Sequence, residues 1–224
     1  MNALEKSFGA QIRKMAQVYF FGDSITQGFW DTEGGWVERL RKHYDGLALK
    51  DLKHNKQPEI FNLGVSGDTT RNLLARIEAE TKIRKWPGDP QIAVVAIGTN
   101  DDLFQNGKQW VEPPEFRANI QKIIDVLKPL VEGILFVGNV AVDEKLTTPV
   151  FWDNIHYTND ELKKYEDIIR EVTKAQNISF VPVFDKFKAE QAKRNLLADG
   201  LHPNDSGHKL IASLVQPELE KLLN

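Results

Sequence analysis

Ser24 sits in the tetrapeptide Gly22-Asp23-Ser24-Ile25 near one end of the chain, and Asp199-Gly200-Leu201-His202-Pro203 lies near the other. A serine hydroxyl is a weak nucleophile at neutral pH. It attacks a carbonyl only when a base takes its proton, and an imidazole serves as that base when an acceptor fixes its tautomer. His202 supplies an imidazole, and Asp199, three residues earlier, can fold its carboxylate back to the Nδ1–H within one loop. Acyl transfer also needs donors aimed at the place where the carbonyl oxygen becomes negative. The backbone amides of Ser24 and Gly64 and the side-chain amide of Asn100 are the candidates for this oxyanion hole, glycine at 64 allowing a close backbone approach.

Taken singly, each residue is ordinary. Gly-Asp-Ser is a common turn, Gly64 and Gly67 read as turn glycines, Asn100 with Asp101 and Asp102 reads as a cap or a solvated segment, and His202 as a loop histidine. Their position relative to the secondary structure gives them weight. Apolar runs of strand length at 17–22, 59–63, 91–97, 133–138 and 178–183 alternate with segments of helical period at 34–47, 69–85, 114–130, 159–176 and 205–222. That alternation predicts parallel strands joined by crossover helices, and the near-continuous apolar runs suit strands covered on both faces. Pro217 is expected to kink or restart the last helix. In such a sheet, ligands bind beyond the carboxyl ends of the strands. Asp23-Ser24 follows the first strand, Gly64-Val65-Ser66-Gly67-Asp68 the second and Gly98-Thr99-Asn100-Asp101 the third, with Asp199 to His202 after the fifth. The long connection 139–158 carries Phe151, Trp152, His156 and Tyr157 and is placed to border a pocket, or simply to tuck its aromatics onto the body.

Gly22-Asp23-Ser24-Ile25, Asn62-Leu63-Gly64-Val65-Ser66-Gly67-Asp68, Gly98-x-Asn100-Asp101 and Asp199-x-x-His202-Pro203 resemble, in order, the four blocks of the SGNH hydrolases, also called GDSL esterases and lipases. The resemblance runs from residue 17 to about 210; Ile25 stands where leucine is usual. It implies a three-layer α/β/α flavodoxin-like sandwich with a five-stranded parallel sheet in the order 2-1-3-4-5. It also implies ester hydrolysis through an acyl-enzyme without metal or cofactor, and an open site. Within the family the expected activity is on short-chain acyl or acetyl esters, because no long apolar lid or amphipathic membrane-binding helix is visible. Lysophospholipase and acyl-thioesterase activities are the alternatives. Trp30, Trp152 and Tyr157 are candidate substrate contacts, since an aromatic face serves an acyl chain or a sugar ring equally.

Composition bounds the rival readings. A net charge of -3 gives no basic footprint for nucleic acid or an anionic membrane, and the absence of cysteine excludes thiolate chemistry and fits a reducing compartment. The expectation is a cytoplasmic protein acting on a small-molecule ester, with no nucleic-acid partner, no membrane insertion and an oligomeric state the sequence does not reveal. No linker or repeat divides the 224 residues, so 1–224 reads as one domain, with a helical extension over 1–16 through Leu4, Phe8 and Ile12. The ordinary α/β-hydrolase elbow, Gly-x-Ser-x-Gly, fails at Thr26, and the serine follows the first strand rather than a central one. A non-catalytic flavodoxin-like phosphate or nucleotide binder at the Gly22–Gly28 loop would lack the P-loop lysine and would not need His202. Asp101 with Asp102, and Asp143 with Glu144, read as solvated loop charges, while His43, His54 and His156 lack a spacing that converges on a metal. His208 could compete with His202 as base, but the pattern places it on the last helix.

Overall fold

The computed structural model describes residues 15–224, so the helix expected through Leu4, Phe8 and Ile12 lies outside the described residues. Five parallel strands form the central sheet: β1 (Gln17–Gly22), β2 (Glu59–Gly64), β3 (Gln91–Ala96), β4 (Gly133–Val137) and β5 (Ser179–Val181), in the order β2-β1-β3-β4-β5. This is the predicted 2-1-3-4-5 arrangement. Six longer helices cover it: α1 (Gly35–Ala48), α2 (Thr70–Arg84), α3 (Pro113–Leu127), α4 (Asn159–Ala175), α5 (Phe184–Gln191) and α6 (Asp205–Leu223).

Because successive strand side chains point to opposite faces, an all-apolar strand must be covered twice. On one face Val18, Phe20, Ile92 and Val94 pack with Trp36 and Leu40 of α1, Phe187 of α5 and Ile211 and Val215 of α6. On the other, Tyr19, Phe21, Ala93 and Val95 pack with Leu73 of α2, Ile120 and Ile124 of α3 and Tyr165 and Ile169 of α4. Each fully buried Phe or Leu contributes roughly 1.5–3 kcal/mol, so the sheet is a rigid platform. Its register aligns the strand ends, with Gly22 opposite both Gly64 and Ala96. The loops that follow β1, β2 and β3 therefore leave from one edge.

Two expectations change. Pro217 does not restart the last helix; α6 runs unbroken from Asp205 to Leu223. Val215 and Leu219, fully buried on either side of the exposed proline, anchor both halves to the same core. The 139–158 connection is also less irregular than expected. It contains a helical turn at Glu144–Thr147, and Tyr157 closes it by donating its amide to Thr147 O at 2.9 Å while Tyr157 O accepts from Thr147 Oγ1 at 2.9 Å.

Candidate active site

The chain leaves β1 into a single helical turn, Ser24–Gln27, that Asp23 caps by accepting the Ile25 amide at 2.9 Å. Burial raises the Asp23 carboxyl to about 6, against the opposing hydrogen bond from Ile25 and the charge of His202. Gly64 is what lets this turn sit against β2, since a Cβ there would lie 2.3 Å from Gln27 N. Ser24 is thereby held at the strand edge with only 6% of its surface exposed.

From the far end of the chain, His202 Nε2 lies 2.9 Å from Ser24 Oγ, and His202 Nδ1 lies 2.8 Å from Asp199 Oδ2. The carboxylate fixes the tautomer. With Nδ1–H donating to Asp199, Nε2 is left to accept the serine proton. Asp199 Oδ1 accepts the backbone amides of Leu201 at 3.0 Å and His202 at 2.8 Å. Burial opposes ionisation of Asp199, but the hydrogen bonds from the His202 ring and these amides outweigh it and hold the carboxyl well below the usual range. His208 is no rival base. It is fully buried on α6, its Nδ1 accepts the Trp36 amide at 3.3 Å, and its Nε2 donates to Phe29 O at 2.9 Å. Burial pushes its imidazole down and keeps it neutral.

Asn100 lies on the short helix Thr99–Asp102 that follows β3. Its Nδ2 donates to Asp68 O at 3.0 Å and its Oδ1 accepts from Tyr157 Oη at 3.5 Å, which leaves one amide hydrogen free to face the cleft. The β2 loop differs from the sequence expectation. The Gly64 amide does not face a ligand, because it donates to Asn62 Oδ1 at 3.0 Å. Val65 N donates to Gly22 O, Ser66 N to Gln27 Oε1 and Asp68 N to Val65 O. Gly67 N has no acceptor among the described residues, and Gly67, with φ +81°, lines the cleft. Arg76 of α2 braces this corner, donating to Leu63 O at 2.9 Å, Gly22 O at 3.3 Å and Asp68 Oδ2 at 2.8 Å.

Asp101 and Asp102 are not solvated charges. Both are buried, and Asp101 caps α2 by accepting the Thr70 amide at 3.0 Å. Burial raises their carboxyls to about 7 and about 8, respectively. Among the described residues, no three His, Asp or Glu side chains gather to hold a metal ion.

The cleft over Ser24 holds about 360 Å³. Trp30, Trp152 and Tyr157, named from the sequence, all line it, but in different ways. Trp152 and Phe29 flank the His202 ring, with ring centres 6.4 and 5.5 Å away. Tyr157 is buried and holds Asn100, and Trp30 donates its indole N–H to Asp199 Oδ2 at 2.9 Å. Trp110, Phe29, Leu103 and Ile155 complete the wall and were not singled out by the sequence reading. The signal for Trp110 was present in Asn106-Gly107, a hairpin dipeptide that joins Phe104–Gln105 to Lys108–Gln109, with φ of 53° and 82° at its two residues.

A family model described as the GDSL-like Lipase/Acylhydrolase family matches residues 20–210. The chain belongs to the GDSL-like lipase/acylhydrolase family. It is accordingly a carboxylic ester hydrolase of the serine type. Among its GDSL relatives, the isoamyl acetate-hydrolyzing esterase of Saccharomyces cerevisiae is 28% identical over 85% of this chain and 80% of that one. The arylesterase of Vibrio mimicus is 26% identical, covering 90% of this chain and 87% of its own. The acetylxylan esterase of Geobacillus stearothermophilus is 26% identical over 88% of this chain and 90% of its own. Its solved structure superposes with a TM-score of 0.69, covering 94% of this chain and 96% of that one at 22% identity, a likeness of fold.

Proposed function

We propose that Ser24 is the nucleophile, His202 the general base and acid, and Asp199 the orienting carboxylate, acting on short-chain acyl esters. The oxyanion hole in this reading comprises the amides of Ser24 and Gly67 and Asn100 Nδ2. Gly67 takes the place expected for Gly64, since its N–H is free and the Gly64 N–H is committed. The observation that carries the proposal is the unbroken relay from Asp199 Oδ2 through both imidazole nitrogens to Ser24 Oγ, at 2.8 and 2.9 Å, at the floor of an open cleft. The Geobacillus stearothermophilus relative adds support, as its solved structures include catalytic mutants in which a serine, a histidine or an aspartate is replaced by alanine.

Ser24 Oγ attacks the ester carbonyl carbon while its proton passes to His202 Nε2, and the negative oxygen settles between the three donors. His202 then returns the proton to the departing alcohol oxygen, which leaves an acyl-serine. Water attacks that ester with His202 again taking a proton, and collapse frees the acid and Ser24. Because His202 protonates the alcohol, the leaving group lies on its side of the cleft, against Trp152 and Phe29. Apolar or ring-bearing alcohols suit that wall. Two of the three relatives are named for acetyl esters, which favours a small acyl group.

No helix among the described residues is long and apolar enough to cross a membrane. We further propose a cytoplasmic location, which the cysteine-free composition supports, and no nucleic-acid partner, which the net charge of -3 supports.

Hydrolysis of p-nitrophenyl acetate, butyrate and octanoate by the wild type and Ser24→Ala tests the activity and the acyl preference together. The expected result is fastest turnover of the acetate or butyrate, and a loss of about 10⁴-fold or more in Ser24→Ala. Equal rates in the two proteins sink the assignment of Ser24. Faster octanoate turnover sinks the short-chain preference alone.

A further inference from the structure

Trp30 occupies a conformation that only glycine adopts freely. Its φ is 63°, in the left-handed region, and the residue is 60% exposed, so neither backbone preference nor burial accounts for the arrangement. Strain of this kind persists only where the surroundings impose it. Here they do. His208 Nε2 holds Phe29 O at 2.9 Å. Asp31 accepts both Arg39 Nε and Nη2 at 2.7 Å and the Glu33 amide at 2.9 Å. Thr32 donates its amide and hydroxyl to Asp205 at 2.9 and 2.7 Å. The residues on both sides of Trp30 are thus tied to α1 and α6. Besides an edge-on contact with the Phe29 ring, that bracing places the indole N–H 2.9 Å from Asp199 Oδ2.

Asp199 Oδ2 is also the oxygen that accepts His202 Nδ1–H at 2.8 Å. With Leu201 and His202 amides on Oδ1, the indole is the fourth donor on this carboxylate. Resting on the assignment of Ser24, His202 and Asp199 above, we infer that Trp30 is a positioning residue that locks the carboxylate and sets how strongly it stabilises a protonated His202, in addition to facing the cleft. A donor that shares Oδ2 withdraws electron density from the bond to the imidazole. The ring then releases its proton to the leaving group more readily than it would beside an unshared carboxylate. The other charged or titratable groups around the pair are Asp23 beside Ser24, Asp31 with Arg39, Asp205 and His208 on α6, and Asp143, whose amide donates to Gly200 O. The indole N–H bonds to Asp199 and to none of these groups.

Trp30→Phe keeps an aromatic face and removes the N–H. The measurement is kcat/KM against pH for p-nitrophenyl acetate and for ethyl acetate, whose alcohol has no ring to stack. The expected result is that the acidic limb of the profile moves to higher pH by about half a unit to one unit with both substrates, with kcat at the plateau lowered about 3- to 10-fold. Trp30→Gly, which accepts the same φ without strain, should move the limb likewise while melting no lower than the wild type. If Trp30 only contacts substrate, both variants raise KM, more for the aryl ester, and the limb stays where it is; that outcome overturns the inference. Failure of the underlying assignment is read separately, as full activity in Ser24→Ala.

Discussion

At the scale of single residues, the site divides groups that react from groups that hold them. Asn100 Nδ2 faces the cleft, but its orientation is set by Asp68 O and Tyr157 Oη on the two sides of the amide. On its proposed role in the oxyanion hole, Asn100→Ala should lower kcat by about 10²- to 10³-fold with little change in KM, because a donor to the developing oxyanion is used mainly in the transition state. Tyr157→Phe removes one hydrogen bond that holds Asn100. A single bond of this kind is worth about 0.5–1.5 kcal/mol, so kcat should fall about 2- to 10-fold, again with KM nearly constant. Steady-state kinetics of both variants on one acetyl ester make the check; a rise in KM without loss of kcat in Tyr157→Phe would mean that the ring meets the substrate directly. The same division separates the two glycines of the β2 loop. Gly64 is required by the packing of the Ser24 turn, and Gly67 by a left-handed backbone that leaves its N–H unclaimed.

At the scale of elements, α6 carries the clearest consequence. Pro217 is exposed and lies mid-helix, where it forfeits a backbone hydrogen bond and crowds the preceding turn. The helix survives because Val215 and Leu219 bury fully on either side. Pro217→Ala should therefore stabilise the protein by about 1–2 kcal/mol, less than the full helix-propensity difference because the unfolded chain regains freedom. For a domain of this size that is a rise in melting temperature of several degrees. An unchanged or lower melting temperature would show that the proline shapes α6 after all. The elements legible in the sequence were those with an unambiguous period. The five strands and the helices that became α1, α2, α3, α4 and α6 carry apolar runs or stripes long enough to identify, and their ends lie within three residues of expectation, where helices and strands fray. What escaped was short. The reading of 178–183 as a strand ran two residues past Val181 to Val183, the residue before α5, a helix with only Phe184 and Phe187 as buried apolar anchors. Within the proposed site, the side chains that the structure brings together, Ser24, His202 and Asp199, could be named from the sequence by type. The free amide of Gly67 could not, because it is defined by which neighbouring amides are already bonded, and those acceptors, Asn62, Gln27, Gly22 and Val65, come from three segments of the fold.

At the scale of the whole molecule, the pH dependence of stability follows from where the carboxyls lie. Asp23, Asp101 and Asp102 are buried close to the edge of the sheet, and burial raises them to about 6, about 7 and about 8. In the unfolded chain each reverts to the ordinary carboxylate range near 4. Between about pH 4 and pH 8 these three carboxyls therefore bind more protons in the folded protein than in the unfolded one, and their contribution to stability declines as pH rises through that window, levelling off above the folded values. Asp199 works in the opposite direction. Its carboxyl is depressed in the folded state, so its contribution is complete above the ordinary carboxylate range and is lost only as pH falls below it. His208, pushed down and neutral in the folded protein, opposes the three raised carboxyls as pH rises through the ordinary imidazole range, so the net decline is clearest above about pH 7. Asp102 dominates the upper end of the decline, since it has the highest value of the three and one carboxyl oxygen with no hydrogen-bond partner among the described residues. Denaturant midpoints measured from about pH 7 to 8.5 should fall with pH in the wild type, and Asp102→Asn, uncharged throughout, should flatten that fall and exceed the wild type at pH 8.5. A wild-type midpoint that climbs between about pH 7 and 8.5, or an unaltered slope there in Asp102→Asn, would mean that Asp102 ionises in the folded protein as freely as it does in water.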